Sequence, residues 1–365
     1  MATKNTVLLI VASFVLCLSL GIACGAGNGD GDGAKDDVVK MTLNDVEYWA
    51  YNIQDVDTER QREELVGTHF DMYVLELVVT ENDNQDFDMA SLIQDIRDHN
   101  IDTRNMDPLI VAYIDIGQAE TWRWYYEDSW EIGDPEWIIG DDPDDWEGCY
   151  PVEYWDKDWK DIVIYGYSSD GRSMLEESLA VGFDGIYMDW VGGFSDEDVV
   201  AKADADGIDP AIAMLDFIAE IRTYARSESP NANPYYVVIA QNAPDLYDED
   251  PARYHQVIDA IALEAIWYDG DGGFDEWDDT DGYNVLTNNI YEGYTEEVLG
   301  YLEPMKEHMP IFCVEYAQDV NGEDFASEVY SELAPDEGFV PYCTRRSLAR
   351  LSTTPYPPGY LPQDY

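Results

Sequence analysis

Eight short apolar runs, separated by segments of helical periodicity, constrain the fold of this 365-residue chain more than any other feature. Runs of this length are typical of strands that are buried on both faces. They lie at 46–53, 72–79, 109–116, 183–188, 235–240, 257–263, 311–316 and 339–342. Helical patterns lie at 58–65, 89–97, 174–180, 211–225, 296–308 and 345–351. The alternation predicts an α/β fold, a single (β/α)8 TIM barrel. A doubly wound sheet is the alternative, but no GxGxxG motif follows the first run.

The fourth run, GFDGIYMDW at 182–190, ends in a carboxylate, Asp189. An acidic group at the end of a buried strand is costly unless it is paired or used. In parallel barrels this end of a strand carries catalytic groups. This stretch alone leaves two interpretations open, a catalytic Asp189 and an Asp189 that caps the next helix.

The N-terminus has the pattern of a targeting segment. Lys4 precedes an apolar run at 7–20, which is short for a membrane span. The following GIAC at 21–24 resembles the lipobox of prokaryotic lipoproteins, which implies cleavage before Cys24 and lipid attachment there; ordinary signal-peptide cleavage is the alternative. We therefore expect an exported, cell-surface protein with a signal at 1–24, a Gly/Asp-rich tether at 25–40, a barrel domain at 41–351 and a Pro-rich tail at 352–365.

The charge balance excludes one class of partner. Lys and Arg number 19 and Asp and Glu number 78, so the net charge is −59, and nucleic acid would be repelled. Acid spread along the whole chain is typical of surfaces adapted to high salt, and part of it could favour a cationic substrate. We expect a monomer that touches a membrane only through its lipid. Export permits a disulfide among Cys149, Cys313 and Cys343, but the sequence does not choose the pair.

The third connection, 118–161, is too long for a plain helix and is rich in tryptophan. Aromatic faces beside carboxylates suit sugar rings, whose C–H faces stack while their hydroxyl groups need acceptors. Most of these rings are expected to pack on one another and on the barrel, and one to three to face a cleft. They are Trp122, Trp124, Trp130, Trp137, Trp146, Trp155 and Trp159.

Polar residues collect at the carboxyl ends of the predicted strands, where barrel active sites lie. Histidine is absent from these positions, which argues against a metal-dependent hydrolase, and no Gly-x-Ser-x-Gly elbow is present. We expect neither metal nor cofactor; an acidic stretch at 269–282 does not fit the EF-hand register and is predicted to be a solvated loop. The candidate substrate-binding residues are Asp115, Glu120, Arg123, Trp124, Trp190, Asn242, Trp267, Glu315 and Tyr316.

Asp189 and Glu264 form the candidate catalytic pair. Each directly ends an apolar run, and a strand offset of two places them across a barrel mouth. Glycoside hydrolysis needs two carboxyl groups in different protonation states. A separation of about 5–5.5 Å between them would indicate retention of configuration, and roughly 6.5–9.5 Å inversion.

Several motifs resemble those of glycoside hydrolase family 114 and its relatives, the polysaccharide hydrolases related to endo-α-1,4-polygalactosaminidase. They are YIDIGQAE at 113–120, DPEW at 134–137, YWDKDW at 154–159, GFDGIYMD at 182–189 and QN at 241–242. The resemblance, over about 46–346, implies a TIM barrel that cleaves α-1,4-linked galactosamine polymers, with Asp189 as nucleophile and Glu264 as acid/base. It also implies that Glu120, Arg123, Asn242 and Tyr316 line the sugar site.

Two other functions remain open from the sequence. A non-catalytic carbohydrate-binding barrel would keep the aromatic residues without needing an acid/base pair. A barrel hydrolase or lyase of another class would use the same carboxylates on a different glycan.

Overall fold

The computed structural model describes residues 38–144, 146–167, 171–271, 285–288, 293–317 and 325–352. Eight parallel strands, paired in chain order, form one sheet that curls into a nearly closed barrel. The predicted (β/α)8 architecture and all eight strands are thereby confirmed. The strands are β1 (Trp49–Asn52), β2 (Met72–Glu76), β3 (Leu109–Asp115), β4 (Gly185–Asp189), β5 (Val237–Gln241), β6 (Ala260–Glu264), β7 (Ile311–Glu315) and β8 (Val340–Cys343).

The seam between β8 and β1 is closed by side chains and by the segment after β8. No backbone ladder joins these two strands, both of which lie in the described part of the chain. Instead the Trp49 indole Nε1 donates to Val340 O at 3.0 Å. Leu348 O accepts the Ile53 backbone N–H at 3.1 Å and the Asn52 Nδ2 at 2.5 Å.

The predicted helix at 345–351 is wrong, and the seam explains why. Residues 344–352 are irregular, and Leu348 has a left-handed backbone with φ of 54°, a conformation that a helix interior cannot contain. The Leu348 carbonyl is held by the end of β1, so it is not available for helical hydrogen bonding.

The other predicted helices are confirmed, with shifted bounds. Asp209 accepts the Ile212 backbone N–H and Pro210 is the first helical residue, so that helix begins where the sequence indicates. Helices at Glu197–Asp206, Pro251–Val257 and Ala334–Glu337 were not predicted. The longer α-helices are Glu59–Val66, Met89–Arg104, Met174–Val181, Glu197–Asp206, Pro210–Thr223, Pro251–Val257 and Tyr294–Leu302, and the four-residue ones are Lys157–Lys160, Leu246–Glu249, Phe325–Glu328 and Ala334–Glu337.

The long connection after β3 begins as an antiparallel ribbon, in which Gln118–Glu120 pairs with Cys149–Pro151. Most of its tryptophans pack inward, as predicted. Trp137 and Trp159 are buried, and Trp130 lies edge-on to Trp137 with ring centroids 5.0 Å apart. Trp122 and Trp146 differ, since they are 40% and 61% exposed.

Several predictions concern parts of the chain outside the described residues. These are the signal with Cys24, the tether as far as residue 37, most of the acidic stretch (272–282) and the tail from 353 onwards. Val39 and Lys40, the last residues of the predicted tether, pair with Met106 and Asp107. A search of the described helices found none with the length and apolarity needed to cross a membrane. Within the described residues no disulfide joins the three cysteines.

Replacing Trp49 with alanine is expected to destabilise the protein by about 3–5 kcal/mol. The ring is fully buried, packs on Phe312 with centroids 5.4 Å apart and makes the indole hydrogen bond of the seam. Urea unfolding at fixed salt measures this change, because an ionic denaturant would itself screen the acidic surface. Tyr235→Ala, at a ring that is 86% exposed, is the matched control. A Trp49→Ala midpoint equal to that of the control would contradict the seam's importance.

Candidate active site

Three successive strands end at the same rim with a polar residue followed by a left-handed one. Asp189 of β4 precedes Trp190 (φ 58°), Gln241 of β5 precedes Asn242 (φ 56°), and Glu264 of β6 precedes Ala265 (φ 56°). Left-handed backbone is unfavourable for residues other than glycine, and such strain concentrates at functional sites. The rim is the carboxyl end of a parallel barrel, where catalytic groups lie.

Asp189 is partly exposed at this rim and has two donors. Tyr113, from the neighbouring β3, donates its hydroxyl to Oδ2, and the Trp190 backbone N–H lies 2.7 Å from Oδ1. Burial, and then the negative charge of Glu264, raise the pKa of Asp189 to about 7, against the lowering effect of both donors. The influence of Glu264 on this pKa indicates that the predicted pair shares one electrostatic environment.

Glu264 is held by three side chains. Gln241 Nε2 and Asn242 Nδ2 both donate to Oε2, the latter at 3.1 Å, and the Tyr316 hydroxyl donates to Oε1. Asn242 also accepts the Glu264 backbone N–H on its Oδ1 at 3.0 Å. These side chains come from the ends of β5 and β7, the two neighbours of β6, so the barrel itself sets the position of this carboxyl group.

The phenols beside the pair act as donors. Burial and the adjacent carboxylates raise the pKa of both Tyr113 and Tyr316 well above the usual value, so both hydroxyl groups keep their protons. A third phenol, Tyr51, donates to Gln241 Oε1 at 3.3 Å. Because that bond occupies the amide oxygen, it directs the Gln241 NH2 group toward Glu264.

Aromatic rings fill the barrel beneath the carboxylates. Tyr51 and Tyr187 lie with ring centroids 5.1 Å apart, and both are buried. Among the described residues nothing forms a hydrogen bond with the Tyr187 hydroxyl, although the charges of Glu264 and Asp189 both act on it. An unpaired buried hydroxyl is unfavourable by about 1–3 kcal/mol.

Arg123 is fully buried in an ion cluster rather than open to a cleft. Its guanidinium contacts Glu76 at 2.5 Å, Glu120 at 2.6 Å and Thr80 at 2.9 Å. Further bonds from Nη2 to both carboxylates use the remaining donors, so all five N–H groups are satisfied inside the protein. Arg123 and Glu120 therefore join the base of the ribbon to β2.

The carboxyl groups of Asp115 and Glu315 also accept hydrogen bonds from inside the protein. Asp115 Oδ1 accepts the Gly117 and Gln118 backbone N–H groups at 2.9 and 2.8 Å. Glu315 accepts three backbone N–H groups from residues 266–268, at 2.8–3.1 Å, and burial raises its pKa to about 8. Both carboxyl groups are predicted to bind substrate, and in the structure they hold the loops that follow β3 and β6.

The predicted aromatic contacts separate into two groups. Trp267 is 3% exposed and packs on Phe339, and Trp124 lies under the Arg172 guanidinium at 4.8 Å. Trp190 is at the rim. A Cβ at Gly117 would lie 2.7 Å from Trp190 Cε3, and one at Gly193 would clash with the same ring. The absence of a side chain at these two glycines thus leaves room for the Trp190 indole, which packs closely against both.

The four histidines lie away from this rim. His69 stacks on His99 with ring centroids 5.0 Å apart, and His255 lies 4.6 Å from His308. Across the described residues no group of three or more His, Cys, Asp or Glu side chains is arranged to hold a metal ion. The carboxyl groups and phenols at the rim are of the kinds that transfer protons or attack as nucleophiles.

Comparison with known proteins gives a consistent result. The model of glycoside-hydrolase family GH114 matches residues 48–357. An uncharacterized protein of Methanocaldococcus jannaschii is 26% identical over 84% of this chain and 78% of its own. One of Thermotoga maritima is 30% identical over 65% of each. The crystal structure of Aspergillus fumigatus Ega3 in complex with galactosamine has a TM-score of 0.50 and 14% identity, over 84% of this chain and 94% of Ega3. At that identity the structural likeness shows the fold.

Replacing Glu264 with glutamine is expected to lower the pKa of Asp189 from about 7, because the charge that opposes its ionisation is removed while burial remains. Carbon-13 NMR titration of the Asp189 carboxyl carbon measures the shift. Asp83→Asn, at an exposed side chain, should leave that titration unchanged. An Asp189 titration that is the same in Glu264→Gln and the wild type would show that the two groups do not interact.

Proposed function

The chain belongs to glycoside hydrolase family GH114, and from that premise we propose that it cleaves an α-1,4-linked, galactosamine-containing polysaccharide. The observation that carries the proposal is the Asp189–Glu264 pair, held at the ends of β4 and β6 by separate sets of donors. The galactosamine bound in Ega3 supports the choice of sugar, and the acidic composition, with its net charge of −59, suits a polymer that carries ammonium groups.

In the proposed reaction Asp189 attacks the anomeric carbon while Glu264 protonates the departing glycosidic oxygen. A water molecule, deprotonated by Glu264, then releases the sugar from Asp189 with retention of configuration. Attack requires Asp189 to be ionised, and burial and the charge of Glu264, which raise its pKa to about 7, oppose this in the free protein. An ammonium group of the substrate beside Asp189 would favour its ionised, nucleophilic form.

Asp189→Asn and Glu264→Gln are each expected to reduce the release of reducing ends from partly deacetylated polygalactosamine by at least about 10²–10⁴-fold, the usual effect of losing a positioned acid or base. The exposed Asp83→Asn is the matched control. If wild type and both variants release reducing ends at equal rates, the catalytic assignment is wrong. Binding of the polymer by the wild type without any cleavage would instead favour a carbohydrate-binding barrel.

Azide rescue separates the two roles. Azide takes the place of the nucleophile in Asp189→Ala and should give a glycosyl azide of inverted configuration. In Glu264→Ala it attacks the glycosyl-enzyme and should give the retained configuration. NMR of the products distinguishes these anomers, and the opposite pattern would exchange the two roles.

We further propose that the chain is exported and lipid-anchored through Cys24. The apolar run and the GIAC sequence at 21–24 support this proposal. In a host that processes bacterial-type lipoproteins, the full chain should fractionate with membranes, and Cys24→Ser should move it to the soluble fraction. The companion variant Cys17→Ser should leave it in the membrane fraction. A wild-type chain found only in the soluble fraction would contradict lipid anchoring.

A further inference from the structure

We propose that Trp122 and Trp146 form a second carbohydrate-binding surface beside the catalytic pair, a rim platform that takes sugar residues of the polymer distant from the bond being cleaved. This inference rests on the proposed function in that it assumes a glycan chain as the ligand. It adds that the chain is held well beyond the reacting sugar, as an enzyme acting on long polymers requires.

The first support is the exposure of the two indoles. Trp122 is 40% and Trp146 is 61% exposed, whereas the other tryptophans of the same connection are buried or packed against the core. The chain just after Trp146 passes beside the Trp122 ring, since a Cβ added at Gly148 would lie 3.4 Å from Trp122 Cζ3 and Gly148 is two residues beyond Trp146. The two residues are therefore close to each other in the connection. Two neighbouring exposed indoles form an apolar patch of the kind that marks a binding site.

The second support is the rigid attachment of Trp146 to the barrel. Its backbone N–H donates to Asp142 Oδ1 at 3.0 Å, and Asp142 Oδ2 accepts Gln118 Nε2 at 2.6 Å. The Gln118 backbone N–H in turn donates to Asp115 at the end of β3. Asp142, Gln118 and Asp115 are all buried. An exposed ring on a fixed backbone loses little entropy when it binds a ligand.

Trp122 is attached to the barrel from the other side of the ribbon. Its carbonyl accepts the Asn82 backbone N–H at 2.8 Å, and the next residue is Arg123, whose guanidinium lies 6.0 Å from the Trp122 ring centroid. The fully bonded ion cluster of Arg123 therefore lies directly beneath the rim platform. The buried charges hold the platform in place without contacting the glycan.

The third support is continuity with the catalytic pair. Asp115 lies opposite Asp189 in the pairing of β3 with β4, and the ribbon begins three residues after Asp115. Cys149 pairs with Glu120 at the far end of the ribbon. Burial, and then the charges of carboxylates from Glu120 to Asp189, raise the pKa of Cys149. The end of the ribbon that leads to the rim platform therefore lies within electrostatic range of Asp189.

The chemistry of the surface suits amino sugars. The C–H faces of pyranose rings stack on indoles, and the exposed carboxylates Asp144 and Glu147 flank Trp146. A chain of galactosamine units would present its ammonium groups to these acids while its ring faces lie on the tryptophans. A neutral polysaccharide would gain only the stacking contribution.

The test compares a long polymer with a short substrate. The double variant Trp122→Ala/Trp146→Ala should raise KM for polygalactosamine about ten-fold, the size expected from two lost stacking contacts, with kcat nearly unchanged. On the shortest oligosaccharide that the wild type cleaves, kcat/KM should be the same for both proteins. The conservative Trp122→Phe/Trp146→Phe should recover most of the polymer KM. Tyr235→Ala, at an exposed ring that precedes β5 at the opposite end of the barrel, is the control and should behave as wild type.

Each result decides the proposal. An unchanged polymer KM, or an equal loss on the short and long substrates, would overturn it. Should the wild type cleave no polymer, the proposed function fails but the rim platform is still tested by native-gel retardation in polygalactosamine, chitosan and dextran. Retardation of the wild type that the double variant loses supports it. Equal retardation of both proteins, or none with any polymer, overturns it.

Discussion

The structure of the mouth depends on holding two carboxyl groups together at the end of an apolar barrel. A carboxylate in such surroundings is unfavourable unless donors compensate it, and each member of the pair has its own set. Asp189 has a phenol and a backbone N–H, and Glu264 has two amides and a phenol. These donors are neutral. They orient the carboxyl groups without cancelling the effects of burial and of mutual repulsion, which together raise the pKa of Asp189 to about 7.

The groups that hydrogen-bond the pair are neutral, whereas charged side chains act outside this set of donors. Arg123 is fully committed to Glu76 and Glu120, at the start of the ribbon. Arg346 adds a positive charge near Glu264, since its guanidinium lies 4.9 Å from the ring centroid of Tyr316 and its charge interacts with that of Glu264. The protein thus uses its buried ion pairs to place loops and neutral donors to orient the two carboxyl groups.

The sequence predicts the strands of the barrel better than the contacts within the candidate site. Eight apolar runs suffice for eight strands, because strands buried on both faces need no periodicity beyond apolarity. The run at 345–351 is also apolar in part, but its backbone is determined by the distant end of β1, which local propensity does not contain. Asp189 and Glu264 can be predicted from the sequence because each ends a strand. The positions of Tyr113, Tyr51 and Tyr187 at the site cannot. Within an apolar run a tyrosine indicates only a strand former until the register of neighbouring strands is known.

Strand-end position also fails to distinguish a carboxyl group at the mouth of the barrel from one that supports a loop. Asp115 and Glu315 end strands just as Asp189 and Glu264 do, yet Asp115 accepts two backbone N–H groups and Glu315 accepts three. The difference lies in the chain that follows. Asp115 accepts N–H groups of the turn that directly follows it, and Glu315 accepts those of the turn after β6. After Asp189 and Glu264, in contrast, a left-handed residue turns the chain sharply aside. That turn leaves the carboxyl group at the opening of the barrel. In this barrel, both carboxyl groups at the mouth are thus followed directly by a non-glycine residue with a left-handed backbone. The strand-end acids that support loops are not.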